Sequence, residues 1–379
     1  MGIYFNNGSG LEDLKECVVD INGEIKNVVS IYGKENDIIK RIWGIGGGHE
    51  VSRRILIMKY SGNRTYQVCY CEGSILGEIQ YPNIISNSNL GQDYCIKSLI
   101  YCDGRYYMMS DNYEWLYSFD GITWVNTGMI SEMDYIGGVT YGNGKIILSG
   151  VKGLDNPTKT IETYDINKNE LINTFNVDTT LEIGFAQVQY GNNMYIILAY
   201  KKYYYSYDGV IWTQSSDGKT WDYAFGEIAY GTMTNGNKVF IASGILNASD
   251  SSNRKPCVVY STNGLSWNPI TTFTGTVTSN AFKIIYGKNT FTLSSGYYNG
   301  LRYDYRLNSN FTLTRMLNPA SNTTESSAIY GYDEKEDIFY LSTIGYIYYI
   351  SSNDLINNSN PEWNKGEFIN VQMSGGIWN

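Results

Sequence analysis

A single histidine, His49, serves all 379 residues, which removes histidine-based catalytic triads and histidine-rich metal sites. Proline is scarce, at 6, and no segment holds a convincing helical period beyond two turns. Charged residues make up only 17%, below the roughly 25% usual in globular chains. Their balance is acidic, with a net charge of −9 and no basic cluster, which argues against nucleic acid and against anionic membrane surfaces. No run of 18 apolar residues is present, so no transmembrane helix or membrane insertion is expected. Nor does the N-terminus carry the charged-then-apolar pattern of a secretory signal, so synthesis in the cytoplasm without a signal peptide is expected. Cysteines at 17, 69, 71, 95, 102 and 257 lie in or beside apparent strands. Cys69 and Cys71 share a strand face but lack a second pair or a nearby histidine, so they read as free thiols rather than zinc ligands. Neither a metal nor a cofactor is expected.

Tyrosine (36) and glycine (40) fill the space those absences leave, and they recur in a pattern. The stretch Tyr117-Ser118-Phe119-Asp120-Gly121-Ile122-Thr123-Trp124 returns at 205–212, with Asp208, Gly209 and Trp212. It returns again at 260–267, with Asn263, Gly264 and Trp267. The Asp or Asn side chain caps the turn amides, glycine accepts positive φ, and tryptophan packs back over the turn. These residues (Ser118, Asp120, Gly121, Trp124 and their equivalents) are therefore read as structural.

A second mark, a strand ending in Tyr before a polar turn, stands at 60, 101, 141, 190, 230, 286 and 330, a mean spacing of 45 residues. Weaker turn signals follow at Tyr70–Gly73, Tyr164–Asn167, Tyr303–Tyr305 and Ser351–Asp354. About four short strands per unit at this period is the mark of a propeller blade. The expectation is an all-β chain with a seven-bladed β-propeller over residues 51–379, six or eight blades being the alternatives. Its first strand, near Ile55–Met58, should pair with residues near Phe368 to Met373 to remove exposed edges.

Residues 1–43 depart from the repeat. Val18–Ile21, the Asn22-Gly23 turn, Glu24–Ile31, a second turn and Ile38–Trp43 predict a three-stranded meander, joined by a glycine-rich linker at 44–50. So small a meander is marginal alone and should complete itself against a partner, another copy or the propeller, which argues for attachment. A homo-oligomer is compatible with this.

The segment Cys17–Gly33 followed by Ile38–Trp43 resembles a short module found near tail-fibre and baseplate proteins of phages of low-GC Gram-positive bacteria. The hairpin repeats resemble the Asp boxes of sialidase-like propellers, whose motif S-x-D-x-G-x-T-W is one residue longer than Ser118–Trp124. Ser215–Trp221 is a further shortened copy. Asp boxes are structural in that family, so they bear on fold and not on catalysis. The family's active site starts from an R-I-P motif, which this chain lacks, and no Arg stands in a comparable context. A pair of carboxylates for a retaining glycosidase could still be assembled by folding.

Three aromatic and polar turns, at 111–115, 201–205 and 295–300, fall between second and third strands, so they should emerge on one rim. Tyr113, Trp115, Tyr203, Tyr297, Tyr298 and Arg302 are the candidate ligand contacts, since sugars are held by stacking and hydrogen bonds. Each of these aromatics could equally pack between blades. The acidic stretch Asp333–Asp337 lacks the alternating ligands and glycine of a calcium loop and reads as a solvated hairpin tip. The resemblance implies a phage tail or tail-like-particle component, attached to other tail or baseplate proteins by its arm, presenting a propeller to a host cell-surface glycan and released on lysis. A baseplate scaffold and a surface-glycan hydrolase are the alternatives.

Overall fold

The computed structural model divides the chain into two compact units, Met1–Arg53 and Arg54–Asn379. In the first, the backbone is described for Gly2–Ile3, Val18–Ile21, Glu24–Asn27, Ser30–Glu35 and Ile38–Gly44. In the second it is described for 54–62, 65–72, 79–80, 85–86 and 96–378. The exceptions are 111, 120, 154–156, 178–186, 200–201, 216–222, 247–254, 273–281, 295–303, 317–329, 335, 344 and 370–372. Side chains are described within 98–364 of that set, except at 223–225, 271–272, 330 and 341–347.

In the first unit the expected middle strand is two strands. Glu24–Asn27 pairs with Val18–Ile21, which pairs in turn with Gly2–Ile3; Ser30–Glu35 pairs with Ile38–Gly44 in a separate two-stranded sheet.

The second unit is all-β and propeller-like, with six four-stranded sheets and one five-stranded sheet among its described residues. Sheet I contains Arg54–Gly62, Thr65–Glu72 and Ile79–Gln80, and Met373–Trp378 precedes them in strand order. Sheet II runs Ile96–Cys102, Arg105–Ser110, Glu114–Ser118, Thr123–Ile130, with Ile85–Ser86 added in parallel at its outer edge. Sheet III runs Tyr135–Gly142, Lys145–Lys152, Thr158–Asp165, Glu170–Asn176. Sheet IV runs Val188–Gly191, Met194–Ala199, Lys202–Ser206, Thr213–Gln214. Sheet V runs Tyr223–Thr232, Lys238–Leu246, Lys255–Ser261, Asn268–Thr272. Sheet VI runs Lys283–Gly287, Thr290–Ser294, Asp304–Leu307, Leu313–Met316. Sheet VII runs Tyr330–Asp333, Ile338–Thr343, Gly345–Ser351, Asn364–Ile369. The first strand of each sheet lies beside the first strand of the next, from II through VII. The first strand of VII lies beside Met373–Trp378, which lies beside Ile96–Cys102.

Local chemistry explains the short hairpins. Asp103-Gly104, Asn143-Gly144, Asn192-Asn193 and Lys288-Asn289 all hold two successive residues at positive φ, the two-residue turn that matches strand twist and favours Asn, Asp and Gly. The strand-end tyrosines have a further role. Each packs against its cross-strand partner: Tyr101 on Tyr106, Tyr190 on Tyr195, Tyr230 on Phe240, Tyr286 on Phe291 and Tyr332 on Phe339, at 4.5–4.9 Å between ring centroids. Four of these rings also sit on the glycine that follows the preceding sheet's tyrosine. A Cβ built on Gly142, Gly191, Gly231 or Gly287 would lie 2.1–2.2 Å from an atom of Tyr190, Tyr230, Tyr286 or Tyr332. Only hydrogen at these Cα positions lets a ring lie flat between sheets. Inter-sheet cores of Ile, Leu, Met and aromatic side chains continue this packing outward.

Several expectations are corrected. In sheet VII the packing seen at the other strand-end tyrosines falls on Tyr332, and the side chain of Tyr330 lies outside the described residues. Tyr60 lies in the second strand of sheet I, so it is not equivalent to the other strand-end tyrosines. Arg54–Gly62 does pair with C-terminal residues, but the pairing starts at Met373 and runs on to Trp378, while Phe368 belongs to the fourth strand of sheet VII. Asp304 is a buried strand residue rather than a turn. Ser351 caps a one-turn helix, Ser352–Asn357, through a hydrogen bond from the Asp354 amide at 3.0 Å. Asp333 is buried, so the acidic hairpin tip is not wholly solvated. Cys102 and Cys257 are buried free thiols, and burial pushes the pKa of both well above the ordinary thiol range. Among the described residues no helix is long and apolar enough to cross a membrane.

Candidate functional site

In a four-stranded meander the first and third turns share one end of the sheet, opposite the second turn. The third turns are built as their sequence implies. In sheet IV the Ser206 hydroxyl accepts the Gly209 amide at 2.8 Å and donates to Asp208 at 3.0 Å. The Asp208 carboxylate accepts the Val210 and Ile211 amides, both at 2.8 Å, and the Trp212 indole donates to the Gly209 carbonyl at 3.2 Å. Desolvation pushes the Asp208 carboxyl upward. The Ile211 and Val210 amides and the Ser206 hydroxyl outweigh it and hold the carboxyl below its usual value.

Sheet V repeats the turn with Asn263, which accepts from Leu265 and Ser266, while Ser261 accepts from Gly264. Its Trp267 differs, because the buried indole N–H has no partner. In sheet II, Ser118 accepts from Gly121, and Trp124 donates to the Gly121 carbonyl; Asp120 lies outside the described residues. The turns also clamp the preceding sheet. Thr163 donates to the Gly209 carbonyl, and Asn173 to that of Val210 at 2.9 Å.

This turn end exposes aromatic rings. Strand alternation turns Ser118 and Ser206 inward and the residue after each outward, leaving Phe119 42% and Tyr207 61% exposed. Tyr101, before the first turn of sheet II, is 37% exposed. Phe119 stands edge-on to Tyr117 at 5.7 Å, and Tyr207 to Tyr205 at 5.8 Å. Arg105 joins the sheet II group, its guanidinium carbon 4.9 Å from the Phe119 centroid and 5.3 Å from that of Tyr117. Flat rings beside a cation can stack on a sugar and hydrogen-bond its oxygens. None of Tyr101, Arg105 or Tyr207 figured as a ligand contact in the sequence reading. The signal was the aromatic residue alternating with the buried Ser of each turn.

The expected rim fares differently. Trp115 is fully buried, edge-on to Tyr164 at 5.6 Å within the core between sheets II and III, so it cannot stack on a ligand there. The β pleat explains this, because Trp115 shares its face with Tyr117, and that face packs on sheet III. Tyr203 is also a core residue. Its ring packs on Trp267 at 6.5 Å, and its hydroxyl donates to the Leu265 carbonyl of the next sheet. Tyr113 does sit in the second turn of sheet II, half-buried at φ 65°, its amide donating to the Ser110 carbonyl at 3.0 Å. Tyr297, Tyr298 and Arg302 lie outside the described residues.

Two buried carboxylates are already committed. Glu162 accepts from the Ser131 hydroxyl (2.6 Å), the Glu132 amide (3.0 Å) and the Tyr164 hydroxyl (2.5 Å), which ties the sheet II–III connection to the third strand of III. Glu227 pairs with Lys283 across the first strands of V and VI. Among the described residues no group of three or more His, Cys, Asp or Glu could hold a metal ion.

No family model matches the chain, and no curated protein matches it in sequence. Solved structures do. A Bacteroides uniformis protein provisionally named as a 6-phosphogluconolactonase is 11% identical, with a TM-score of 0.58, over 86% of this chain and 97% of that one. The computationally designed protein Ika8 is 9% identical, with a TM-score of 0.50, over 86% of this chain and 89% of its own. At such identities the likeness concerns the fold alone.

Proposed function

We propose that Arg54–Asn379 is a closed seven-bladed β-propeller, and that the chain is a phage tail or tail-like-particle component whose propeller binds a host cell-surface glycan. The blade count and closure are supported by sheets I to VII following one another in chain order, by the cycle of first-strand contacts, and by the pairing of Met373–Trp378 with Arg54–Gly62. Closure of this kind leaves no first strand unpaired. The observation that carries the binding reading is the exposure of aromatic rings at the turn ends of two sheets: Tyr101 and Phe119 of sheet II, with the Arg105 guanidinium against Phe119, and Tyr207 of sheet IV. Rigid hairpins presenting aromatic anchors are where recognition usually sits. The tail assignment, with attachment to other tail or baseplate proteins through residues 1–43, rests on the resemblance of Cys17–Trp43 to tail-associated modules.

The full chain should bind host cells, and solubilised wall glycan should compete. Changing Phe119 and Tyr207 together to Ala should weaken binding at least about tenfold, the scale of one lost aromatic anchor, while the melting temperature holds. Purified chain that binds tail proteins but neither cells nor wall glycan would make it a baseplate scaffold. Release of reducing sugar from the walls would make it a hydrolase.

A further inference from the structure

The ligand class is narrowed by Arg105. It opens the second strand of sheet II, lies over both Tyr117 and Phe119, and has no ion-pair partner among the described residues. The two rings stand nearly perpendicular, at 85°, so the guanidinium lies against both, and its planar fork can offer two parallel N–H donors to one anion. Beside it Tyr107 is fully buried, and burial pushes its pKa up to about 12 against the opposing influence of Arg105. The residues that open the second strands of sheets III to VI are Lys145, Met194, Lys238 and Thr290, so none of them repeats the planar guanidinium of Arg105.

Resting on the glycan-binding reading above, we propose that the turn end of sheet II reads an acidic saccharide. Its carboxylate or phosphodiester is held by the Arg105 fork, and the neighbouring sugar ring lies on Phe119. Both anions present two oxygens to a planar fork, the geometry that distinguishes Arg from Lys. Asp103, exposed in the adjoining turn, is the local charge that opposes such a ligand.

The test is binding of the full chain to host cell walls left intact, treated to cleave phosphodiesters, or treated to reduce carboxylates to alcohols. Loss of about tenfold or more after one treatment, with binding weakened by salt, is the expected result and identifies which anion is read. Arg105→Gln should lose a similar factor at an unchanged melting temperature, and Arg105→Lys should recover only part of it. Asp103→Asn should bind intact walls more tightly, a gain that damaged packing would not imitate; Asn also suits the positive φ of this turn. Equal binding to intact and doubly treated walls, or wild-type affinity in Arg105→Gln, overturns the acidic-ligand inference and leaves glycan recognition standing. Failure of the wild-type chain to bind intact walls removes the glycan reading itself.

Discussion

Two sets of aromatic rings, both placed beside hairpin turns, have opposite fates. Tyr190, Tyr230, Tyr286 and Tyr332, at the ends of first strands, lie flat on a glycine of the preceding sheet. Phe119 and Tyr207, in the third turns, stand in solvent. Composition does not separate them, since both are large rings next to turn residues. The difference is a seat. The inner rings meet a neighbouring sheet whose backbone is stripped of Cβ, whereas the turn rings alternate with a Ser that faces inward and holds the turn closed. Where the neighbour provides a seat, a ring holds sheets together, and where it does not, the ring is available for a ligand.

The seat can be broken by one methyl group. In Gly231→Ala the new Cβ would stand 2.2 Å from the Tyr286 ring, which is itself fixed against Phe291 and bonded through its hydroxyl to the Thr232 backbone. The ring cannot yield without separating sheets V and VI. Equilibrium unfolding should show a loss of about 3 kcal/mol, the upper range for overpacked cores. A loss below about 0.5 kcal/mol would mean the ring has room to move and the inner set needs no seat.

This contrast also marks how far the residues alone could be read. The hairpin period and the Ser/Asp-Gly turns were legible, because turn geometry is decided by two or three adjacent residues. The glycine after each strand-end tyrosine was visible as part of a motif but looked like turn chemistry. Its reason is Tyr190, Tyr230, Tyr286 or Tyr332 in the next sheet, some 40–60 residues away. Trp115 and Tyr203 were misplaced for the same cause: pleat alternation says which face a ring takes, but only the neighbouring sheet says whether that face is covered. Glu162 drew no attention because its three donors come from Ser131, Glu132 and Tyr164, two of them in another segment.

At the turn end the comparison predicts a smaller and pH-dependent effect. Asp208→Ala removes the acceptor of two turn amides and should cost about 0.5–2 kcal/mol, the scale of a lost cap. The carboxyl is held below its usual value in the folded chain, so its contribution is fully present above the unfolded pKa and is lost as pH falls through the folded one. Thermal melts should therefore find the gap between Asp208→Ala and wild type wide at neutral pH and closing below about pH 4. Glycan binding by the folded variant should persist, since Asp208 shapes the turn without carrying the ring. A selective loss of binding at an unchanged melting temperature would make this residue part of the recognition surface.

The smallest effect should be a gain, at a two-residue turn whose chemistry runs against its geometry. Lys288 holds φ 41° at the position occupied by Asp103, Asn143 and Asn192 in the corresponding turns of sheets II, III and IV. Left-handed backbone costs an ordinary L-residue about 1–2 kcal/mol, and Asn is among the few side chains that visit it readily. Against replacement stands one ion pair, from Lys288 Nζ to Asp337 at 3.7 Å, with both side chains roughly half exposed. Such surface pairs contribute about 0–1 kcal/mol, and Asp337 keeps a stronger partner in the Tyr332 hydroxyl. Relief of the backbone should therefore outweigh the lost pair, and Lys288→Asn should gain a few tenths to about 1 kcal/mol in chemical unfolding. A loss instead would mean that the link between Lys288 of sheet VI and Asp337 of sheet VII matters more to this inter-sheet contact than the shape of the turn.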